Sequence, residues 1–525
     1  MDVADVRTGR RPQAPVVPHG PDAPRHHRPR LLIVAAIAAA ILLGVALRFV
    51  TTSDLWLDEA LTVNVARLPL GDIAGALRHD GAPPLYYYLL HGWIQLFGES
   101  DLAVRSLSAV LGVATLPVMW VAARRLGGRA VAWTAVVLLA TAPFGIRYGT
   151  EARMYTLVTL LTLVGYLALM AVLESPTPWR LIGLAAVTGA LLLTHYWAFY
   201  LGIATAVPLL VLARRGRNAH SARLALLAMA VGSLVFVPWW PTFLSQARHT
   251  GTPWADPATF QAMVNAVGEF AGGVSDAGRG VALLILAVAG LAVFGRPIDG
   301  RRIELDLRTQ PRGRGLGFVI GATLVIAIAV GLVSGSGYAS RYTAVVFGLF
   351  ILLVALGTAV FADPRVRYGV IVVAVALGLA AGVLNTTAQR TQAGEVAAAI
   401  RAQARPGDVV VYCPDQLGPA VDRLLPDTYV QVTYPRGGSP AIVDWVDYQE
   451  RVKAADPIAF ADRLDARAGP GHDIFLVWSG AYRTHIGVCE QIVVRLSALR
   501  PATRVVEARP SKFYENAELH RFQPR

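Results

Sequence analysis

The chain alternates long apolar runs with short polar loops and then changes rhythm in its last third. Eleven runs approach the ~20 residues that a helix needs to cross hydrocarbon. They lie at 31–50, 102–123, 130–146, 153–173, 180–194, 196–213, 223–241, 279–295, 316–333, 342–361 and 368–384. The fifth and sixth are parted only at His195-Tyr196-Trp197, so their turn belongs at the interface or inside protein. The first run is too long for a signal-peptide core and no small-residue cleavage site follows it, so it reads as a first membrane helix. The ~30 residues before it, rich in Pro, Arg and His, read as a disordered basic tail. Amphipathic stretches in the loop at 51–101 predict helices lying in the interface. From about 385 onward, apolar stretches at 408–412, 473–478 and 503–507 alternate with helical patterns at 394–404, 458–468 and 486–499. That alternation predicts a small α/β domain over 385–525. The expected fold class is a mostly α polytopic bundle with a C-terminal α/β domain.

Composition agrees with a lipid-facing chain. Of 525 residues, 54% are hydrophobic and 16% charged, against about 25% charged in a soluble domain. The net charge of +13 does not point to nucleic acid, because of where the charge lies. The cations are nearly all Arg, with Lys453 and Lys512 the only lysines, and they gather in short loops between apolar runs. With the N-terminus in the cytoplasm, the cytoplasmic loops hold Arg124, Arg125, Arg129, Arg180, Arg214, Arg215, Arg217, the Arg-rich segment 296–314, Arg365 and Arg367. The opposite loops are longer in total and hold Arg67, Arg78, Arg147, Arg153, Arg248 and Arg341. The excess of cytoplasmic Arg supports this orientation. An odd number of spans then places the C-terminal domain outside. Cys413 and Cys489 both fall in that domain, where a disulfide is permitted; two separate buried thiols is the other reading, and both stay open. No nucleotide-binding glycine pattern occurs.

The unusual polar residues fall in the outward loops. Asp58-Glu59 follows the first span, and a carboxylate there suits general-base work on a sugar hydroxyl; an ordinary solvated acidic pair is the plainer reading. His79 and Asp80, ahead of Pro83-Pro84, are candidates to line an acceptor site. Glu151 and Arg153 sit at a membrane boundary, where charges are costly unless paired or functional. A planar guanidinium fork at Arg153 suits a phosphate. His195 and Tyr196 lie on the same face, where aromatics also serve as an interfacial belt. Tyr338 and Arg341 precede the tenth span, and an outward Arg runs against the charge bias, so an anionic partner is expected there. None of these motifs is specific alone. Together they supply what departure of a lipid phosphate needs: a carboxylate to take a proton and cations to meet growing negative charge. No metal cluster is apparent and no cofactor is predicted, although His79, Asp80 and His195 leave a divalent ion open.

Leu57-Asp58-Glu59-Ala60, His79-x-x-x-Pro83-Pro84-Leu85-Tyr86-Tyr87, Arg105-Ser106-Leu107-Ser108, Glu151-Ala152-Arg153-Met154-Tyr155, Thr194-His195-Tyr196 and Ser340-Arg341-Tyr342 resemble the GT-C fold glycosyltransferases. The similarity is to the protein-mannosyltransferase and aminoarabinose-transferase-like (RgtA/B/C/D-like) branch, in an actinobacterial form, over residues 31–384. The resemblance implies an inverting transfer of one sugar, mannose or a pentose such as arabinose, from a polyprenyl-phosphate donor. The acceptor would be an extracytoplasmic glycolipid, glycan or protein of the cell envelope. It implies that Asp58 is the catalytic carboxylate with Glu59 beside it, and that Arg153 and Arg341 bind the donor phosphate; Arg105 matches a recurrent residue at the start of the second span, with a phosphate role and a structural one both open. The C-terminal domain departs from the better-known eukaryotic pattern. Its Trp445, Tyr448, Trp478 and Tyr482 are candidates for sugar contact, with core packing the default for aromatics. A transporter or flippase for lipid-linked sugars is the principal rival; such proteins often carry internal repeats and midplane charges, and neither is apparent.

Overall fold

The computed structural model describes residues 28–214, 216, 218–250, 259–273, 275–299, 301–335 and 337–524. The chain divides after Ala39, and the first of the two units is described only from the start of helix Arg28–Leu47. The expected basic tail at 1–30 lies almost wholly outside the described residues. The second unit, Ala40–Arg525, holds every element after that helix.

Among the described residues, eight helices are long and apolar enough to cross a membrane, and Leu32–Leu47 and Pro178–Leu192 are shorter apolar helices. One of the eight, Asp101–Thr141, is two runs meeting at Gly128, whose φ of 82° breaks the helix. Glycine reaches that region without the Cβ clash other residues meet. Counting the kinked helix as two recovers the eleven expected runs. The helix Ala344–Thr358 has no polar face, and every one of its residues is buried. A helix that is apolar all round is a central one, and this one delivers Arg341 from the short turn Ser340–Thr343 at its N-terminus.

The loop after the first span folds into the helices Leu57–Ala66, Leu70–Leu77 and Leu85–Phe97. Their apolar residues Val63, Ile73, Leu77, Tyr86 and Leu90 join the main core, so they are packed elements rather than a loose crossing. Close by, Arg48 is buried and donates to three main-chain carbonyls: Gly44 at 2.5 Å, Ala140 at 2.6 Å and Leu139 at 2.7 Å. Only a glycine fits at Gly149, where a Cβ would stand 2.7 Å from Arg48 Cγ.

The C-terminal part is built on a five-stranded sheet. Val409–Cys413 runs parallel to Val430–Thr433 and to Ile474–Trp478. Glu518–Phe522 is antiparallel to Ile474–Trp478 and pairs on its other edge with Ala502–Val506. Both faces of the central strand are buried: Val409, Val411 and Cys413 pack against Phe460, Leu464 and Ile492, while Val410 and Tyr412 face the core that includes Val396 and Ile400. This is why the sequence shows continuous apolar runs there instead of alternation. The helices Ala393–Gln403, Pro457–Ala468 and Val488–Leu499 lie where the pattern predicts them. Cys413 and Cys489 are joined by a disulfide, which resolves the two readings left open. A second, two-stranded parallel ladder pairs Gln389–Thr391 with Phe513–Glu515.

Candidate active site

Alternating spans bring the polar loops after the first, third, fifth and last membrane helices, and the start of the tenth, to one end of the bundle. Asp58 lies in the first turn of Leu57–Ala66. Its Oδ2 is 3.4 Å from a terminal nitrogen of Arg341, and both side chains keep slight exposure, 17% and 15%. Arg341 also stands over the rings of Trp56 and Tyr342, at 5.9 and 5.8 Å. Arg153 reaches the same helix from the other side and donates to Thr62 Oγ1 at 2.7 Å and to the Asp58 carbonyl at 3.4 Å. Its Nε is buried without a hydrogen-bond partner. One carboxylate thus pairs with Arg341 and keeps slight exposure, on a helix that Arg153 also holds.

Glu59 has a different environment. It is fully buried and takes a two-pronged hydrogen bond from Arg105, at 2.7 and 2.6 Å. The Ala152 N–H donates to it at 3.0 Å and Arg390 lies 3.6 Å away. Burial alone would push its pKa up, but Arg105, Arg390 and the Ala152 N–H outweigh that and hold it below the usual carboxylate range. Arg105 is engaged in the same way: its remaining donors go to the Ser53 and Asp54 carbonyls. Of the two roles left open for Arg105, these contacts are those of a structural partner.

The remaining candidates divide. Glu151 is buried, accepts from Trp56 Nε1 at 3.1 Å through one oxygen, and leaves the other without a hydrogen-bond partner. Asp80 accepts from the Tyr87 hydroxyl at 2.8 Å and lies within range of Arg153's charge. His195 is buried between rings of Tyr155 and Tyr342. Burial first, then Arg153 and Arg341, lower its pKa to about 3, so it is a neutral imidazole. The Tyr338 hydroxyl is buried without a hydrogen-bond partner, with its ring on Trp197. Two candidates turn elsewhere. His79 pairs with Asp444 of the C-terminal domain at 3.0 Å. The Tyr196 hydroxyl bonds Gln246 and accepts from Trp239 at 3.1 Å. Trp445 and Tyr448 are buried with Trp56 and Leu57 in a small apolar cluster. Among the described residues, no three His, Cys, Asp or Glu side chains gather as a ligand set.

The C-terminal domain contributes Tyr482, one of the aromatic candidates, together with Glu515, Tyr514 and Arg390, which the sequence pattern did not single out. Glu515 accepts from the Leu57 N–H, next to Asp58, at 2.9 Å. Tyr514 meets Trp56 edge-on at 5.7 Å. Tyr482 and Tyr514 both lie close enough to feel the Asp58 charge. Arg390, just past the last span, donates to Thr150 at 2.9 and 2.6 Å. The available signal was weak: an isolated buried-type acid in a short strand, and one more Arg on the side with fewer of them.

Against solved structures, two states of ArnT from Cupriavidus metallidurans match, one bound to undecaprenyl phosphate and one apo. Their TM-scores are 0.58 and 0.59 at 15% and 14% identity, and each match covers 94% of this chain and 97% of that chain. This chain has the GT-C fold. The Archaeoglobus fulgidus oligosaccharyltransferase in its apo form matches with a TM-score of 0.50 at 11% identity, over 88% of this chain and 71% of that one. The family description dolichyl-phosphate-mannose-protein mannosyltransferase matches residues 81–241. That stretch of the GT-C chain includes Arg105, Arg153 and His195 and stops short of Asp58 and Arg341 on either side. A comparison with curated proteins finds no match.

Proposed function

We propose that the protein is an inverting glycosyltransferase moving one sugar, mannose or a pentose, from a polyprenyl-phosphate donor to an acceptor of the cell envelope outside the membrane. The observation that carries this is the Asp58 carboxylate 3.4 Å from Arg341, with Arg153 bonded to Thr62 and the main chain of the same helix, at one end of a membrane bundle. The acceptor hydroxyl oxygen attacks the anomeric carbon. The bond from that carbon to the phosphate oxygen breaks, and its electron pair leaves with the lipid phosphate. The acceptor proton passes to Asp58, positioned as base. A single displacement inverts the anomeric centre. Arg341 and Arg153 meet the charge that grows on the departing phosphate. An incoming phosphate also competes with Asp58 for Arg341, so donor binding frees the carboxylate for the acceptor. Neutral His195 and the unpartnered Tyr338 hydroxyl offer hydrogen bonds to sugar hydroxyls, and Asp80 and Glu151 line the approach. An apolar cavity of about 740 Å³ among the helices, lined in part by Tyr166, Leu191, Leu201 and Leu316, gives a prenyl chain an apolar surface. Support for the class also comes from the GT-C fold shared with an undecaprenyl-phosphate-bound ArnT.

The test is transfer by purified protein from a panel of polyprenyl-phosphate sugars to membrane acceptors, with Asp58→Asn alongside. Turnover from one donor is expected, with a loss of at least ~100-fold in the variant, the lower range for removing a positioned base. A folded protein that transfers nothing from any donor would overturn the class. An equally active variant would keep the class and dismiss Asp58 as base.

A further inference from the structure

The helix that carries Asp58 begins without a cap of its own. Trp56 stands at its N-cap and gives no side-chain hydrogen bond. The first N–H groups of a helix have no partner within it and need one elsewhere. Here the partner comes from near the end of the chain. Glu515 Oε2 accepts from the Leu57 N–H at 2.9 Å, and its Oε1 accepts from Thr391 Oγ1 at 2.8 Å. A carboxylate at this end of a helix is also favoured by the helix dipole. Glu515 is 6% exposed, and its strand is fixed by the parallel ladder to Gln389–Thr391 and by the Gln392 N–H donating to the Glu515 carbonyl at 2.9 Å. Tyr514, one residue before it, packs on Trp56. The C-terminal domain therefore grips the two residues that precede Asp58.

We propose that Glu515 is a positioning residue for Asp58, fixing the first turn of its helix so that the carboxylate faces the reacting centre. This rests on the reading of Asp58 as base. Rotation of an uncapped first turn would swing Asp58 away from the acceptor, and a 1 Å misplacement costs roughly 100-fold in rate. The charged neighbours of Glu515 are Asp58 and Glu59 on the helix, with Tyr482 and Tyr514 beside them and Arg390 next to Thr391 paired to Glu59. Burial, opposed by the Leu57 N–H and Thr391 and reinforced by the two acids, raises its pKa to about 7. Its charge, and with it the strength of the cap, changes near neutrality.

The experiment compares full-length wild type, Glu515→Ala and Glu515→Gln for kcat, donor KM, the pH dependence of kcat, and hydrogen exchange of the segment 57–61. Alanine is expected to lower kcat by at least about tenfold with donor KM little changed, and to speed exchange in that segment alone. Glutamine keeps an acceptor for the Leu57 N–H, so it should restore most of kcat and slow exchange while removing any step near pH 7. Wild-type kcat in the folded alanine variant would overturn the proposal, whatever its exchange. If the alanine variant does not fold, Glu515→Met, which fills the space but cannot accept from the Leu57 N–H, decides: a lowered kcat with faster exchange at 57–61 supports the proposal, and wild-type kcat overturns it. Asp58→Asn separates the two readings. Full activity there dismisses the base and the positioning role together, whereas loss there beside an unaffected Glu515→Ala dismisses the positioning role alone.

Discussion

Asp58 and Glu59 are neighbours in the chain with opposite fates, because successive residues of a helix point about 100° apart. One faces the partly open end of the bundle beside Arg341; the other is driven inward onto Arg105. Breaking one partner of a buried pair leaves an uncompensated charge and costs about 3–5 kcal/mol. Glu59→Gln, which strands Arg105, is therefore expected to destabilise the protein by that amount in detergent unfolding, whereas Asp58→Asn, whose partner Arg341 keeps some exposure at a longer 3.4 Å, should cost less. The pH behaviour follows from direction. Glu59 is held below its ordinary pKa when folded, so its contribution is present above the unfolded carboxylate pKa of about 4.3. It fades as pH falls through the folded value, and Glu59→Gln should flatten that acid limb of stability. The sequence displayed the acidic pair plainly. Which member is buried depends on where the helix begins, and that is set by packing partners far away in the chain.

At the scale of elements, hydropathy was enough to find all eleven apolar runs, since no other part of a membrane chain can be so long and so free of charge. It also found the α/β tail, because buried parallel strands and amphipathic helices have different periods. Short structures carrying few apolar residues escaped it: the ladder Gln389–Thr391 with Phe513–Glu515 has three residues a side and no periodicity to read. The disulfide was undecidable from two cysteines alone. It ties the end of strand Val409–Cys413 to the start of helix Val488–Leu499 across a separation of 76 residues, and removing a bridge of that reach costs about 2–5 kcal/mol. A Cys413→Ser and Cys489→Ser double variant should thus become sensitive to protease within 393–522 at a lower temperature than wild type. Cleavage patterns unchanged up to wild-type melting would show that the sheet's own packing suffices.

For the whole molecule, the charge asymmetry of the loops and the gathering of Asp58, Arg153, His195, Arg341 and Arg390 at one bundle end yield a single topological expectation: that end faces out of the cell. Alkaline phosphatase fused after residue 525 should be active, and a fluorescent protein inserted in the Arg-rich loop near 306 should fluoresce; the reverse pattern would invert the orientation and place the chemistry in the cytoplasm. The rival reading, a transporter for lipid-linked sugars, differs in what it asks of the C-terminal domain. A translocation path belongs to the membrane helices, so a chain ending at about 388 would keep it. A transferase whose site leans on the C-terminal domain would not survive that cut. It would lose Arg390, which pairs with Glu59 and holds Thr150, the Glu515 cap on the Asp58 helix, and the Trp445 and Tyr448 packing under Trp56. Transfer by the truncated protein should fall below detection even when its membrane helices insert and fold. Undiminished transfer would mean that the membrane helices alone assemble the reaction centre, and the C-terminal sheet would then be an appendage to an enzyme complete without it.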